Sequence, residues 1–114
     1  MGGNGTRQTQ RFAMSIPIRI RMLEPPLRAI QQALSRDISS RGVFFSSDVP
    51  LDIGARVEVS LEMPEQVVGN PVRQWRCNGR VVRTEQATAE GKIGVGVEFL
   101  YYEILKNRVP EPVA

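Results

Sequence analysis

Apolar residues recur at every second position in four separate stretches of this chain, a spacing that builds half-buried strands and leaves no amphipathic helix. Phe12, Met14, Ile16, Ile18, Ile20 and Met22 share one phase, against Ala13, Ser15, Pro17, Arg19 and Arg21 on the other. Val57, Val59, Leu61 and Met63 alternate with Arg56, Glu58, Ser60 and Glu62. Trp75, Cys77, Gly79 and Val81 alternate with Arg76, Asn78 and Arg80, and Ile93, Val95, Val97 and Phe99 with Gly94, Gly96 and Glu98. Successive side chains of a strand point to opposite faces, so each stretch presents one apolar face that has to be covered. Five or six short antiparallel strands of this kind, separated by turn residues, predict an all-β fold: a small barrel, which also removes exposed sheet edges.

The connecting segments add detail. Pro17 falls on the outer phase and cannot donate to a ladder, which points to an edge or a bulge. Glu24-Pro25-Pro26 ends the first strand. In residues 27–35, Leu27, Ile30 and Leu34 fit a helical stripe, and alanine and glutamine favour helix, so local propensity alone selects a helix there. Val43-Phe44-Phe45 reads as a short buried strand, and Asp48, Pro50, Asp52 and Gly54 as a turn. Pro64 through Pro71, with Gly69-Asn70, reads as a hairpin-like connection. Gly94 and Gly96, on the outer phase of the last strand, let something pack very close or let a barrel curve. Tyr101 to Arg108 fits a short C-terminal amphipathic helix through Tyr101, Ile104 and Leu105, stopped by Pro110 and Pro112.

At 114 residues the chain has room for one modest core and one domain. Residues 1–6, glycine-rich, read as a flexible leader, residues 7–108 as the domain, and residues 109–114 as a tail. The net charge of +3 is mild, but its distribution is not: through residue 36 there are six arginines against Glu24 alone, which steers an anionic partner to that end. With no histidine, the commonest general base is missing. The single cysteine, Cys77, lies on an apolar phase and can neither form an internal disulfide nor assemble a zinc site. The glycines follow neither a Walker nor a dinucleotide spacing. These features argue against an enzyme, a metal or a cofactor. No apolar run is long enough to span a bilayer as a helix, and the expected location is the cytoplasm.

The densest polar stretch is Arg36-Asp37-Ile38-Ser39-Ser40-Arg41-Gly42, placed where a plain turn would serve. Asp37 and Ser39 lie two apart and share a face on extended backbone. Read blandly, both cap their own turn. Upstream, Arg7 and Arg11 stand four apart, just before the first strand. Arg-x-x-x-Arg followed by Asp-x-Ser-x-x-Gly resembles the PilZ domain, the bacterial receptor domain for cyclic di-GMP, and the likeness runs from about Arg7 to Arg108. The resemblance implies a six-stranded antiparallel barrel with a terminal helix, and a strand at residues 27–35. It also implies a ligand-binding set of Arg7, Arg11, Arg36, Asp37, Ser39, Ser40 and Gly42: the arginines on phosphate and guanine, Asp37 and Ser39 reading the base, Gly42 leaving room for the ligand. The chemistry suits the residue types, because guanidinium pairs with phosphate oxygens and with the O6/N7 edge of guanine.

The expected function is therefore a second-messenger receptor whose N-terminal arm orders on cyclic di-GMP and presents a new surface to an effector protein. Thr6 stands before Arg7 where family members often carry another basic residue, which bears on affinity and on ligand number. Two alternatives remain open on the residues alone. One is a small barrel binding single-stranded nucleic acid along Arg73, Arg76, Arg80 and Arg83; against it, such sites stack bases on exposed aromatics, and Phe12, Trp75 and Phe99 fall on inner phases. The other is a PilZ-like protein-interaction adaptor that takes no ligand.

Overall fold

The computed structural model describes residues 10–24, 26–86 and 91–105. Its strands are β1 (Pro17–Glu24), β2 (Pro26–Ser39), β3 (Gly42–Ser47), β4 (Arg56–Met63), β5 (Arg73–Glu85) and β6 (Ile93–Ile104). They close into an antiparallel barrel in the order β1-β2-β3-β6-β5-β4, with β4 pairing back onto β1. The expected six-stranded barrel is thus the observed one.

Alternation places the core. Ile18 and Ile20 of β1, Val57, Val59, Leu61 and Met63 of β4, and Trp75, Cys77 and Val81 of β5 point inward and are buried with Val43, Phe45, Val95 and Val97. Each inward aliphatic side chain removed from water contributes about 1.5–3 kcal/mol, so the shared interior drives closure. Burial also pushes the Cys77 thiol up to about 12, which keeps it protonated and unreactive in the folded protein.

Residues 27–35 lie within strand β2, as the resemblance implied and against local propensity. Tertiary pairing decides the matter: the first part of β2, through Leu34, pairs with β1, and the strand continues from Ser35 onto β3. Two members of the would-be helical stripe bury little, since Ile30 and Leu34 are 52% and 56% exposed.

Three elements differ from the sequence expectation. The first strand begins at Pro17 rather than Phe12. Residues 12–16 instead run alongside β2, tied by a Phe12–Ile38 bridge with N···O distances of 2.8 and 2.9 Å. Phe12, Met14 and Ile16 still pack on the core, so the phase is kept where the ladder is not. Buried Ser35 holds this segment in place: its hydroxyl donates to the Met14 carbonyl and accepts the Ile16 N–H at 3.0 Å.

The expected C-terminal helix is strand over its described part. Tyr101, Tyr102, Glu103 and Ile104 pair with Asn78, Cys77, Arg76 and Trp75, and Tyr102 stacks on Trp75 with centroids 4.2 Å apart. The ladder satisfies every second backbone group, and the stack rewards the extended form. Residues 106–108 of that expectation, like the leader 1–6 and the tail 109–114, lie outside the described residues. The helix among the described residues is instead α1 (Glu65–Val68), in the segment expected to be a hairpin-like connection, and it ends on Gly69 at φ 77°. A left-handed residue at that position favours glycine.

Ser35→Ala should leave the Ile16 N–H and the Met14 carbonyl without their partner. Urea unfolding should show a loss of about 1–2 kcal/mol, with the amide of Ile16 exchanging faster in the folded state.

Candidate functional site

Cross-strand register lays three rows of residues across β2, β3, β6 and β5. Ile38, Val43, Val97 and Val81 form an inner row, and all are buried. Outside it on one side runs Asp37–Phe44–Gly96–Arg83; on the other runs Ser39–Gly42–Glu98–Arg80. The two outer rows floor a groove of about 450 Å³.

Two bulges give the outer rows their chemistry. The register slips between Ser35 and Asp37, so Arg36 and Asp37 both escape the interior. It slips again between Val81 and Arg83. Strict alternation from Trp75, Cys77, Gly79 and Val81 would aim position 83 into the core; the extra residue, Val82, turns Arg83 outward instead. A bulge re-aims side chains in this way without ending the strand.

Of the residues expected in the site, Arg11, Asp37, Ser39 and Gly42 line the groove together. Arg11 is positioned by its neighbour Phe12, whose backbone is fastened to Ile38, between Asp37 and Ser39. Asp37 is partly exposed, and its carboxylate has no hydrogen-bond or ion-pair partner among the described residues. Ser39 is buried, and its Oγ accepts the Arg41 N–H at 3.1 Å, so the turn-capping reading holds for this hydroxyl; its proton stays free to donate. Arg36 and Ser40 do not line the groove. Arg36 lies with Cζ 5.1 Å from the Phe44 ring centroid and borders a smaller depression. Arg7 lies outside the described residues.

Gly42 has a packing reason of its own. A Cβ there would come within 2.5 Å of the Val97 carbonyl oxygen, because β6 crosses directly against it. The close approach is made by backbone of the same chain.

The ligand set read from the sequence omitted Phe44, Val82, Glu98 and Arg41, and named Arg83 only for the nucleic-acid alternative. Phe44 is buried as expected, yet from outside the barrel: Phe45 fills the core while Phe44 lies over Gly94 and Gly96. A Cβ on Gly94 would meet the ring at 2.6 Å. The outer-phase glycines were the available sign that a bulky group packs there. Arg83 sits over the same ring, Cζ 4.6 Å from its centroid. Glu98 borders the groove opposite and pairs with Arg80 at 3.6 Å across exposed surface, a contact worth little in energy. The lining thus carries Arg11, Arg41 and Arg83 against Asp37 and Glu98, a surplus of cation suited to an anion. Among the described residues, no group of three or more His, Cys, Asp or Glu could hold a metal. No helix among them is long and apolar enough to cross a membrane.

Comparison with known proteins bears on this geometry. The sequence matches the family described as PilZ domain over residues 5–107. No curated protein matches it. Among solved structures it is similar to the Bacillus subtilis inhibitor of motility, MotI/DgrA, with a TM-score of 0.67 at 20% identity, covering 90% of this chain and 46% of that one. The chain therefore spans about half the length of that protein. It is also similar to the PilZ domain of CeSA from a cellulose-synthesizing bacterium, with a TM-score of 0.53 at 16% identity, covering 81% of this chain and 82% of that one. At these identities the structural likeness speaks for the fold.

Gly42→Ala should strain the β3–β6 crossing whether or not anything is bound. Thermal unfolding of the free protein should show a destabilisation of about 1–3 kcal/mol, the usual range for overpacking a tight contact. An unchanged midpoint would mean that β6 stands further from Gly42 than described here.

Proposed function

The chain belongs to the PilZ domain family, a family of receptor and adaptor domains, and from that premise we propose that it binds cyclic di-GMP in the groove between Arg11 and the Asp37–Gly42 turn. The observation that carries the reading is the convergence of the two sequence motifs, 26 positions apart from Arg11 to Asp37, on one cation-rich groove. Cyclic di-GMP offers two phosphodiesters and two guanines. Arg11, with Arg7 before it, supplies paired donors to phosphate oxygens or to the O6/N7 edge of guanine. Asp37, without another partner among the described residues, accepts from the donor edge of guanine. Ser39 has its proton to add. The reading is of a receptor: each of these groups is assigned to holding the ligand, and none to chemistry on it.

Signalling would come from the arm. Between Gly2 and Arg11 the sequence has glycines and polar residues, with no apolar side chain to seat on the barrel, and among the described residues the first anchored one is Phe12. Ligand on the turn gives Arg7 and Arg11 a partner, ordering the arm and presenting a new surface to an effector protein. The readings as a nucleic-acid-binding barrel or a ligand-free adaptor are separated from this one by the same titration.

Calorimetry with cyclic di-GMP should show saturable binding that GTP and a short single-stranded oligonucleotide do not displace. The absence of heat and of a thermal shift at tens of micromolar ligand defeats the proposal. Arg11→Ala and Asp37→Ala should each weaken binding roughly tenfold to a hundredfold, the loss of one charge-assisted contact, with Arg11→Ala folding normally.

Amide exchange tests the arm separately. Ligand should slow exchange over residues 6–11, while Phe12, already bonded to Ile38, and Val57–Met63 change little. An arm equally protected with and without ligand leaves the site standing and removes the switch.

A further inference from the structure

The geometry points to a second recognition element in the same groove, resting on the reading above: Arg83, held over Phe44, is a stacking platform for a purine base. No motif predicts it. Three observations place it there. The bulge at Val82 turns Arg83 out of the core onto the outer row. Phe44 then beds the guanidinium, Cζ 4.6 Å from the ring centroid, and is itself fixed against Gly94 and Gly96. Both Arg83 and Phe44 line the groove that holds Arg11, Asp37 and Ser39.

A guanidinium is a flat group with two faces. In Arg83 the guanidinium centre lies over the aromatic ring, and the side chain, which lines the groove, remains 46% exposed, room for the ring on one face and a ligand on the other. Its Nε lies 3.8 Å from Glu85, an exposed pair that occupies an edge and not the second face. That second face is what a ligand in the groove meets. A purine laid on it completes a stack of ring, guanidinium and base, in which dispersion and cation–π attraction act on both sides of the cation. The site has no exposed aromatic to do this work, since Phe44 is covered. Phe44 also restricts the arginine beforehand, lowering the ordering cost that a free surface arginine would incur on binding.

This element differs in kind from Asp37. Every base has a π-face, so a stacking platform adds affinity without choosing the base; the carboxylate, which accepts hydrogen bonds, chooses. Lysine in place of Arg83 keeps the charge and loses the plane. The charge alone is therefore separable from the stack.

Binding of cyclic di-GMP and of cyclic di-AMP should be measured on the unaltered protein and on Arg83→Ala, Arg83→Lys, Phe44→Leu, Arg11→Ala and Asp37→Asn, following guanine hypochromism on binding as well as heat. Arg83→Ala and Arg83→Lys should both lose about tenfold in affinity, with the hypochromism reduced and the ratio of guanine to adenine ligand unchanged. Phe44→Leu, which removes the bed but keeps an apolar side chain, should lose affinity in the same direction with the barrel still folded by circular dichroism. Asp37→Asn should change the ratio. If Arg83→Lys binds like the unaltered protein, Arg83 acts as a point charge and the platform is refuted. If Arg11→Ala loses binding while Arg83→Ala does not, the receptor reading stands and this inference falls. If the unaltered protein binds neither dinucleotide, the receptor reading fails and the platform with it.

Discussion

Strand β3, six residues long, is where the barrel closes, and the candidate site exists because of how tightly it is laced. It bonds to β2 on one side, over Ser35 to Ser39, and to β6 on the other, from Gly42↔Glu98 to Ser47↔Ile93. Those ladders bring a turn in the first half of the chain against two strands from its end. The closure demands glycine at its tightest points: Gly42 against the Val97 carbonyl, and Gly94 beneath Phe44. Inside the seam, Val43, Phe45, Val95 and Val97 belong to the core; outside it lie Asp37, Phe44 and Arg83. One strand pairing thus supports the fold on its inner face and the groove on its outer face.

Much of this was legible in the sequence. Period-two patterning identified β4, β5 and β6 and their inward residues, because one buried face forces strict alternation. The Arg-x-x-x-Arg and Asp-x-Ser-x-x-Gly motifs drew attention to Arg11, Asp37, Ser39 and Gly42, which do share a groove. What was not legible traces to bulges and to pairing between distant segments. Nothing in Arg80-Val81-Val82-Arg83 announces that the register slips after Val81, yet that slip decides whether Arg83 faces the core or the groove. Likewise Tyr101, Ile104 and Leu105 fit helical spacing, and only the ladder to β5 with the Trp75–Tyr102 stack makes that stretch a strand.

The same reasoning explains why Leu27–Ser35 misleads. A strand whose outer face carries Ile30 and Leu34 and whose inner face carries Gln31, Ala33 and Ser35 inverts the usual distribution. Its inward polar groups are not idle: Gln31 accepts from the Ser47 hydroxyl and the Asp48 N–H at 3.0 Å each, and Ser35 ties down residues 14–16. Apolar patterning cannot find a strand whose inner face is partly hydrogen-bonded, whereas the ladder to β1, continued from Ser35 onto β3, gives the backbone its partners in the extended form.

Placement of Arg11 one residue from the Phe12–Ile38 bridge has a thermodynamic consequence for a receptor of this design. Ile38 is wholly buried and lies between the two residues that the ligand would read, Asp37 and Ser39. An arm fastened there and a turn formed there share one short length of β2. Whatever free energy a ligand gains by bridging Arg11 and Asp37 therefore also favours the bridged arrangement of arm and barrel. By linkage the reverse holds to the same degree: an effector that grips the ordered arm must tighten the ligand. Arg83 stands apart from this coupling, on β5 and off the arm. If the arm orders as proposed, contacts there would add affinity to both of its states alike, while contacts at Arg11 would distinguish them. On the proposed reading, affinity and switching would thus fall to different strands of one groove.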